Sequence, residues 1–232
     1  MALQLIIGNK KYSSWSLRAW VFMQQNQIEF DEVHISLKAV IEQQDKTLLR
    51  EYLSDDKVPV LVDNGNKIWD SLAILEYLSE NYLNNSGYPA NKEAKALARS
   101  ISCEMHSSFM AIRSEIPMNC AKKFNKIVLS AQAQVELARV QQLWQLCRDK
   151  YSQDGPWLFG AYSIADAMFA PIALRFYGYN ISLSTNSENY VNQVINQPCI
   201  EKWIKQGQLE QEIIQEDEID VVGNIKVEIW KS

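Results

Sequence analysis

The hydrophobic rhythm of this chain changes once, near residue 84, and that change restricts the folds open to it. Before it, short apolar runs alternate with helical repeats. Leu3 to Ile7 form an apolar run ended by Gly8 and Asn9, and Leu17, Trp20 and Val21 recur at helical spacing. Ile28, Phe30, Val33, Ile35 and Leu37 alternate, with a phase slip near Asp31, which predicts a second strand over 28–37. A polar segment with Leu48, Leu49 and Tyr52 has room for a short helix before the β-rich run Lys57 to Val62. Asp63 to Lys67 reads as a hairpin turn, with Ile68 and Trp69 as the returning strand. Asp70 or Ser71 then caps a helix carrying Leu72, Leu75, Leu78 and Tyr82. The order is βαβαββα, and a helix between strands points to a parallel crossover.

Asn84 to Lys92, rich in Asn with a Gly and a Pro, reads as a linker. Beyond it, amphipathic segments run from about Lys92 to Glu115, from Ser130 to Tyr151 and from Ser163 to Tyr177, with weaker ones after Asn189 and Pro198. Strand signal returns only at the end, where Ile225, Val227 and Ile229 alternate in a tail strand or an ordering-poor terminus. The expected organisation is an α/β domain over 1–83, an all-α helix bundle over 91–216 and a tail over 217–232.

A chain of 232 residues can bury a core without disulfides or metals. Its formal net charge of -5, without a Lys/Arg run, argues against nucleic acid as a partner. The N-terminal apolar stretch is too short for a signal peptide or a membrane span, so the expected compartment is the cytoplasm, with no membrane association. Cys103, Cys120, Cys147 and Cys199 form no CxxC pair, and most of them read as small buried hydrophobes; His34 and His106 have no company at metal-ligand spacing, so no metal is expected.

Three stretches together carry a resemblance: Tyr12-Ser13-Ser14-Trp15-Ser16-Leu17-Arg18, Lys57-Val58-Pro59-Val60-Leu61, and Trp69-Asp70-Ser71-Leu72-Ala73-Ile74-Leu75-Glu76-Tyr77-Leu78. In this order and spacing the chain resembles the glutathione transferase superfamily over about residues 1–215, closest to its serine-type, zeta-like classes and their bacterial relatives. The resemblance implies a thioredoxin-like N-terminal domain followed by an all-helical one, glutathione as co-substrate, and a homodimer. It implies an enzyme that transfers the thiol to a small electrophile or uses it to isomerise one, with detoxification as the usual role; the alternative is a binding or regulatory protein that keeps the scaffold without turnover.

By the same resemblance Pro59 is cis, with the Val58 backbone turned to the cysteinyl part of glutathione, whereas on chemistry alone only about one X–Pro bond in twenty is cis. Asp70 and Ser71 stand where the family holds the γ-glutamyl end. A carboxylate there can pair the ammonium, while a hydroxyl and open helix amides can take the carboxylate. Simple capping is the other role open to them.

The thiol needs more. Lowering its pKa by two units takes roughly 2.7 kcal/mol, of which a helix N-terminus supplies about 0.3 to 1 kcal/mol. A hydroxyl hydrogen bond of about 1.5 to 3 kcal/mol closes the gap. Ser14, then Ser13, are the expected donors, with helix capping as their other possible role. An ungapped alignment of Arg18 places Lys11 at the family's catalytic serine, where it would act by charge. Ser163 to Asp166 resembles the family's capping box, without a catalytic role. Phe109, Trp157, Phe159, Phe169, Phe176 and Tyr177 are core candidates, and Arg113 is a candidate substrate-anion contact or a solvated residue.

Overall fold

The computed structural model describes residues 3–41, 52, 57–124, 127–219 and 227–229. Strand β1 (Gln4–Ile7) leads through a loop to helix α1 (Ser14–Gln25), then to β2 (Asp31–His34) and the short helix α2 (Leu37–Ile41). A hairpin follows, β3 (Val60–Asp63) and β4 (Asn66–Trp69), and then α3 (Ser71–Tyr82). The sheet order is β2-β1-β3-β4; β2 runs parallel to β1, and β3 and β4 are antiparallel to their neighbours. This is the expected thioredoxin-like arrangement, followed by helices: α4 (Lys92–Ser107), α5 (Met110–Glu115), α6 (Ala131–Tyr151), α7 (Ile164–Gly178), α8 (Thr185–Ile195) and α9 (Pro198–Leu209).

The second strand is shorter than the alternation predicts. Ile28 is not part of it, because its amide donates to the carbonyl of Met23 and closes α1, with Gln27 at a positive φ of 55. Pairing with β1 starts where the Asp31 amide meets the carbonyl of Leu3, and Leu37 already opens α2. The helix expected around Leu48 and Leu49 lies outside the described residues. The segment from Lys92 to Glu115 is two helices, not one. The Ser108 amide ends α4 on the carbonyl of Glu104, and Phe109 adopts φ 64 and ψ 42 while remaining 4% exposed, so burial of its ring turns the chain.

The tail does form a strand, β6 (Val227–Ile229), antiparallel to β5 (Lys122–Phe124). The sequence Lys-Lys-Phe has no alternation of its own, so β5 could not be read in advance. The capping box at the start of α7 is present: Ser163 and Asp166 exchange hydrogen bonds. Helix α7 is buried almost all round, which fits its apolar composition, and it packs against α1 on one side and α4 and α8 on the others. A single apolar cluster therefore runs from Leu5, Leu17 and Trp20 to Phe169, Phe176 and Trp203. The opposite face of the sheet carries a small second cluster, Ile6, Ile35 and Val60.

Candidate functional site

A cleft of about 550 Å³ opens between the sheet and the helical half, lined by Trp15, Lys57, Val58, Pro59, Trp69, Asp70, Ser71 and His106. Four residues expected at the ligand's position, Val58, Pro59, Asp70 and Ser71, share this one cleft. The Val58–Pro59 peptide is cis. The positions follow from the fold: Val58 and Pro59 lead into β3, while Asp70 and Ser71 join β4 to α3.

Asp70 sits at φ 73 as the N-cap of α3, its Oδ1 accepting from the amides of Leu72 at 2.9 Å and Ala73 at 3.3 Å. Its other oxygen, Oδ2, lies 3.2 Å from Nε2 of His106, a residue of α4, so the pair crosses from the sheet to the helical half. Ser71 is buried, and its Oγ accepts from Nη1 of Arg18 at 3.3 Å. Capping by Asp70 through Oδ1 thus coexists with a second oxygen, Oδ2, that meets His106 at the cleft.

The start of α1 forms the inner end of the site. Ser13 caps the helix: its Oγ accepts from the Ser16 amide at 3.3 Å and donates to Ser16 Oγ at 2.8 Å. Ser14, also buried, accepts at Oγ from Arg175 Nη2 at 3.4 Å, and among the described residues nothing accepts its hydroxyl proton. Neither serine lines the cleft; the neighbouring Trp15 does. The Trp15 ring has Arg18 Cζ at 4.4 Å and Arg113 Cζ at 4.9 Å, and meets the His106 ring edge-on.

Lys11 does not line the cleft either. Its ammonium donates to the carbonyls of Glu210 at 2.6 Å and Glu212 at 3.2 Å. These contacts belong to a larger clasp, in which the segment after α9 folds over the β1–α1 loop. Glu210 accepts from the amides of Lys10 and Lys11, Glu212 from Asn9 and Ser36, and Glu218 from Tyr12. Burial and the Glu218 carboxylate push the Tyr12 phenol well above its ordinary range.

Arg113 is not a solvated surface residue. Its guanidinium donates to the carbonyls of Ser108 at 3.0 Å and of Met105, at the end of α4, where a cation is favoured. Burial pulls its pKa down. The sequence reading missed Trp15, Trp69, Lys57 and His106 as cleft residues. Trp15 and Trp69 lay inside the quoted stretches, but nothing local marks His106, which reaches the cleft only because α4 packs beside it.

Residues 7–80 match the family described as the glutathione S-transferase N-terminal domain. The dichloromethane dehalogenase of Methylophilus leisingeri is 43% identical over 61 residues, a stretch that spans 26% of this chain and 22% of that protein. Among solved structures, a glutathione transferase homolog from Burkholderia with bound glutathione is 23% identical and superposes with a TM-score of 0.65 over 89% of this chain and 97% of that one. A diazinon-metabolizing glutathione S-transferase of the silkworm Bombyx mori, 16% identical, superposes with a TM-score of 0.69 over 90% and 98%. Residues 7–80 thus carry the glutathione S-transferase N-terminal domain, and along most of its length the chain shares the two-part fold of solved glutathione transferases.

Proposed function

We propose that this protein is a glutathione transferase that binds glutathione in the cleft and presents its thiolate at the start of α1 to a small electrophile. The observation that carries this reading is that Val58, Pro59, Asp70 and Ser71 line a single cleft. Asp70 Oδ2, which also faces His106, then pairs the γ-glutamyl ammonium, Ser71 takes its carboxylate through its hydroxyl and its own amide, and the Val58 backbone meets the cysteinyl part. The glutathione bound to the Burkholderia homolog supports the same ligand here.

Of the two candidate serines the geometry favours Ser14. The Ser13 proton is already given to Ser16, whereas Ser14 has its oxygen against Arg175 and its proton unclaimed among the described residues. Ser14 therefore donates to the sulfur, adding about 1.5 to 3 kcal/mol to what the helix amides supply. The thiol proton leaves to water, the sulfur forms the new S–C bond, and the leaving group departs with its electron pair. Lys11 is committed to the carbonyls of Glu210 and Glu212, and we assign it no direct contact with the ligand.

The working form is a homodimer in the cytoplasm, pairing the sheet half of one subunit with the helical half of its partner; this part of the reading rests on family resemblance. Ultraviolet titration of bound glutathione tests the chemistry. Ser14→Ala should raise the thiol pKa by about one to two units, with affinity for S-methylglutathione unchanged. Tight binding without a lowered thiol pKa in the wild type would favour a non-catalytic scaffold.

A further inference from the structure

We infer that Arg175, on α7, is the positioning residue that turns the Ser14 hydroxyl toward the glutathione sulfur; the inference rests on the reading that Ser14 meets that sulfur. Arg175 is separated from Ser14 by 161 residues, yet its Nη2 points at Ser14 Oγ from 3.4 Å. The guanidinium is held in plane by two backbone carbonyls, with Nη1 donating to Arg113 O at 3.1 Å and Ile116 O at 2.7 Å. A hydroxyl whose oxygen faces a cationic donor directs its own proton away. Arg175 thereby converts Ser14 from a residue free to cap or to accept into one committed to donate.

The surrounding charges call for an anion. Arg175 and Arg18 are buried, Arg113 is partly so, and among the described residues none of the three has a carboxylate within ion-pair distance. Among the described residues the Nε of Arg18 has no hydrogen-bond partner. Buried cations without ion pairs are costly, and a thiolate at the start of α1 would relieve that cost. Besides Arg113, the groups facing Arg175 are two neutral side chains and a carboxylate. Burial keeps the thiol of Cys120 protonated, at about 12, and raises the Tyr179 phenol, which donates to the carbonyl of Pro117. Among the described residues Asp217 is the carboxylate facing Arg175, itself raised by burial, while Asp70 faces Arg18 and Glu136 faces Arg113. Burial and Arg113 draw Arg175 down to about 10, which still leaves it charged at neutral pH.

The test is ultraviolet titration of glutathione bound to the full chain, with affinity for S-methylglutathione as the check that the cleft is intact. Arg175→Met should raise the thiol pKa so that about tenfold less thiolate is present at pH 6.5, with kcat/KM falling in parallel and recovering at high pH. Arg175→Lys, which keeps the charge, should restore most of the thiolate. If Arg175→Met fails to fold, Arg175→Gln, which retains a donor for the Ile116 carbonyl, carries the same test. In a Ser14→Ala background the Arg175 change should shift the pKa by much less, since only its longer-range charge remains to be lost. An unmoved pKa in the Arg175 variants overturns the inference, as does an equal shift with and without Ser14, which would mean direct action on the sulfur. If Ser14→Ala alone leaves the pKa unmoved, the parent reading falls as well, so the two failures are distinguishable.

Discussion

Replacing Asp70 separates the work of capping α3 from the work of holding glutathione. In Asp70→Asn the remaining carbonyl oxygen can still accept from the amides of Leu72 and Ala73, and Asn tolerates the positive φ of 73. Stability should therefore stay within about 0.5 kcal/mol of wild type. Asp70→Ala loses the cap, about 1 kcal/mol, and places an alanine at positive φ for of order 1 kcal/mol more. In a chain of this length that amounts to roughly 4 to 8 °C in Tm. Binding should divide the variants differently. The carboxylate is 42% exposed, so its bond to the γ-glutamyl ammonium is discounted to about 1 to 2 kcal/mol, or about 5- to 30-fold in Kd. Calorimetry with glutathione should show that loss in both variants, and thermal denaturation should show a loss in Asp70→Ala alone. If Asp70→Asn binds within about twofold of wild type, the carboxylate only caps the helix and the γ-glutamyl end lies elsewhere.

Four further outcomes are expected. Ser13→Ala should cost about 1 kcal/mol of stability as a lost cap while leaving the thiol pKa in place; a pKa rise equal to that of Ser14→Ala would reverse the choice between the serines. Asp166→Ala removes a buried acceptor of the Leu158 amide, the Ser163 amide and hydroxyl and the Tyr190 hydroxyl, and should cost about 3 to 5 kcal/mol by urea denaturation, a loss under 1 kcal/mol counting against it. Burial alone would raise the pKa of Glu210, but His34 and the amides of Lys11 and Lys10 outweigh it and hold the carboxyl below its ordinary value. Its contribution is thus present above the unfolded pKa of about 4.3 and lost as pH falls through the folded one; Glu210→Gln should flatten that acid-side fall in stability, and an unchanged profile would refute it. Light scattering at micromolar concentration should give twice the 26.7 kDa chain mass, and a monomer would remove the dimer from the proposal.

Where a structural feature depends on neighbours in the chain, the sequence was enough to place it. The order of elements could be anticipated because Leu3 to Ile7, Val60 to Val62 and the turn at Asn64 and Gly65 each declare a strand or hairpin within a few residues. The break at Phe109 could not, because its amphipathic pattern continues across the turn and only the burial of its ring in the shared core stops the helix. The second strand failed for a similar reason: Ile28 has a strand residue's chemistry, but its amide is claimed by α1 before pairing with β1 can begin.

The same division runs through the site. Val58, Pro59, Asp70 and Ser71 could be singled out from local stretches that resemble the family, and they line one cleft. Choosing between Ser13 and Ser14 required knowing where each hydroxyl proton goes, and that is decided by partners at very different distances along the chain. Ser16, three residues on, takes the Ser13 proton; Arg175, 161 residues away, supplies the donor that leaves Ser14 its own. Lys11 shows the converse. From its position in the loop it competes with the serines for the thiolate, but the segment after α9 captures its ammonium with two carbonyls that no local pattern could have announced. The chemistry at the start of α1 is therefore set by which helical residues pack onto the loop, so substitutions on α7 or after α9 should tune the thiolate more than conservative changes within the loop's apolar positions.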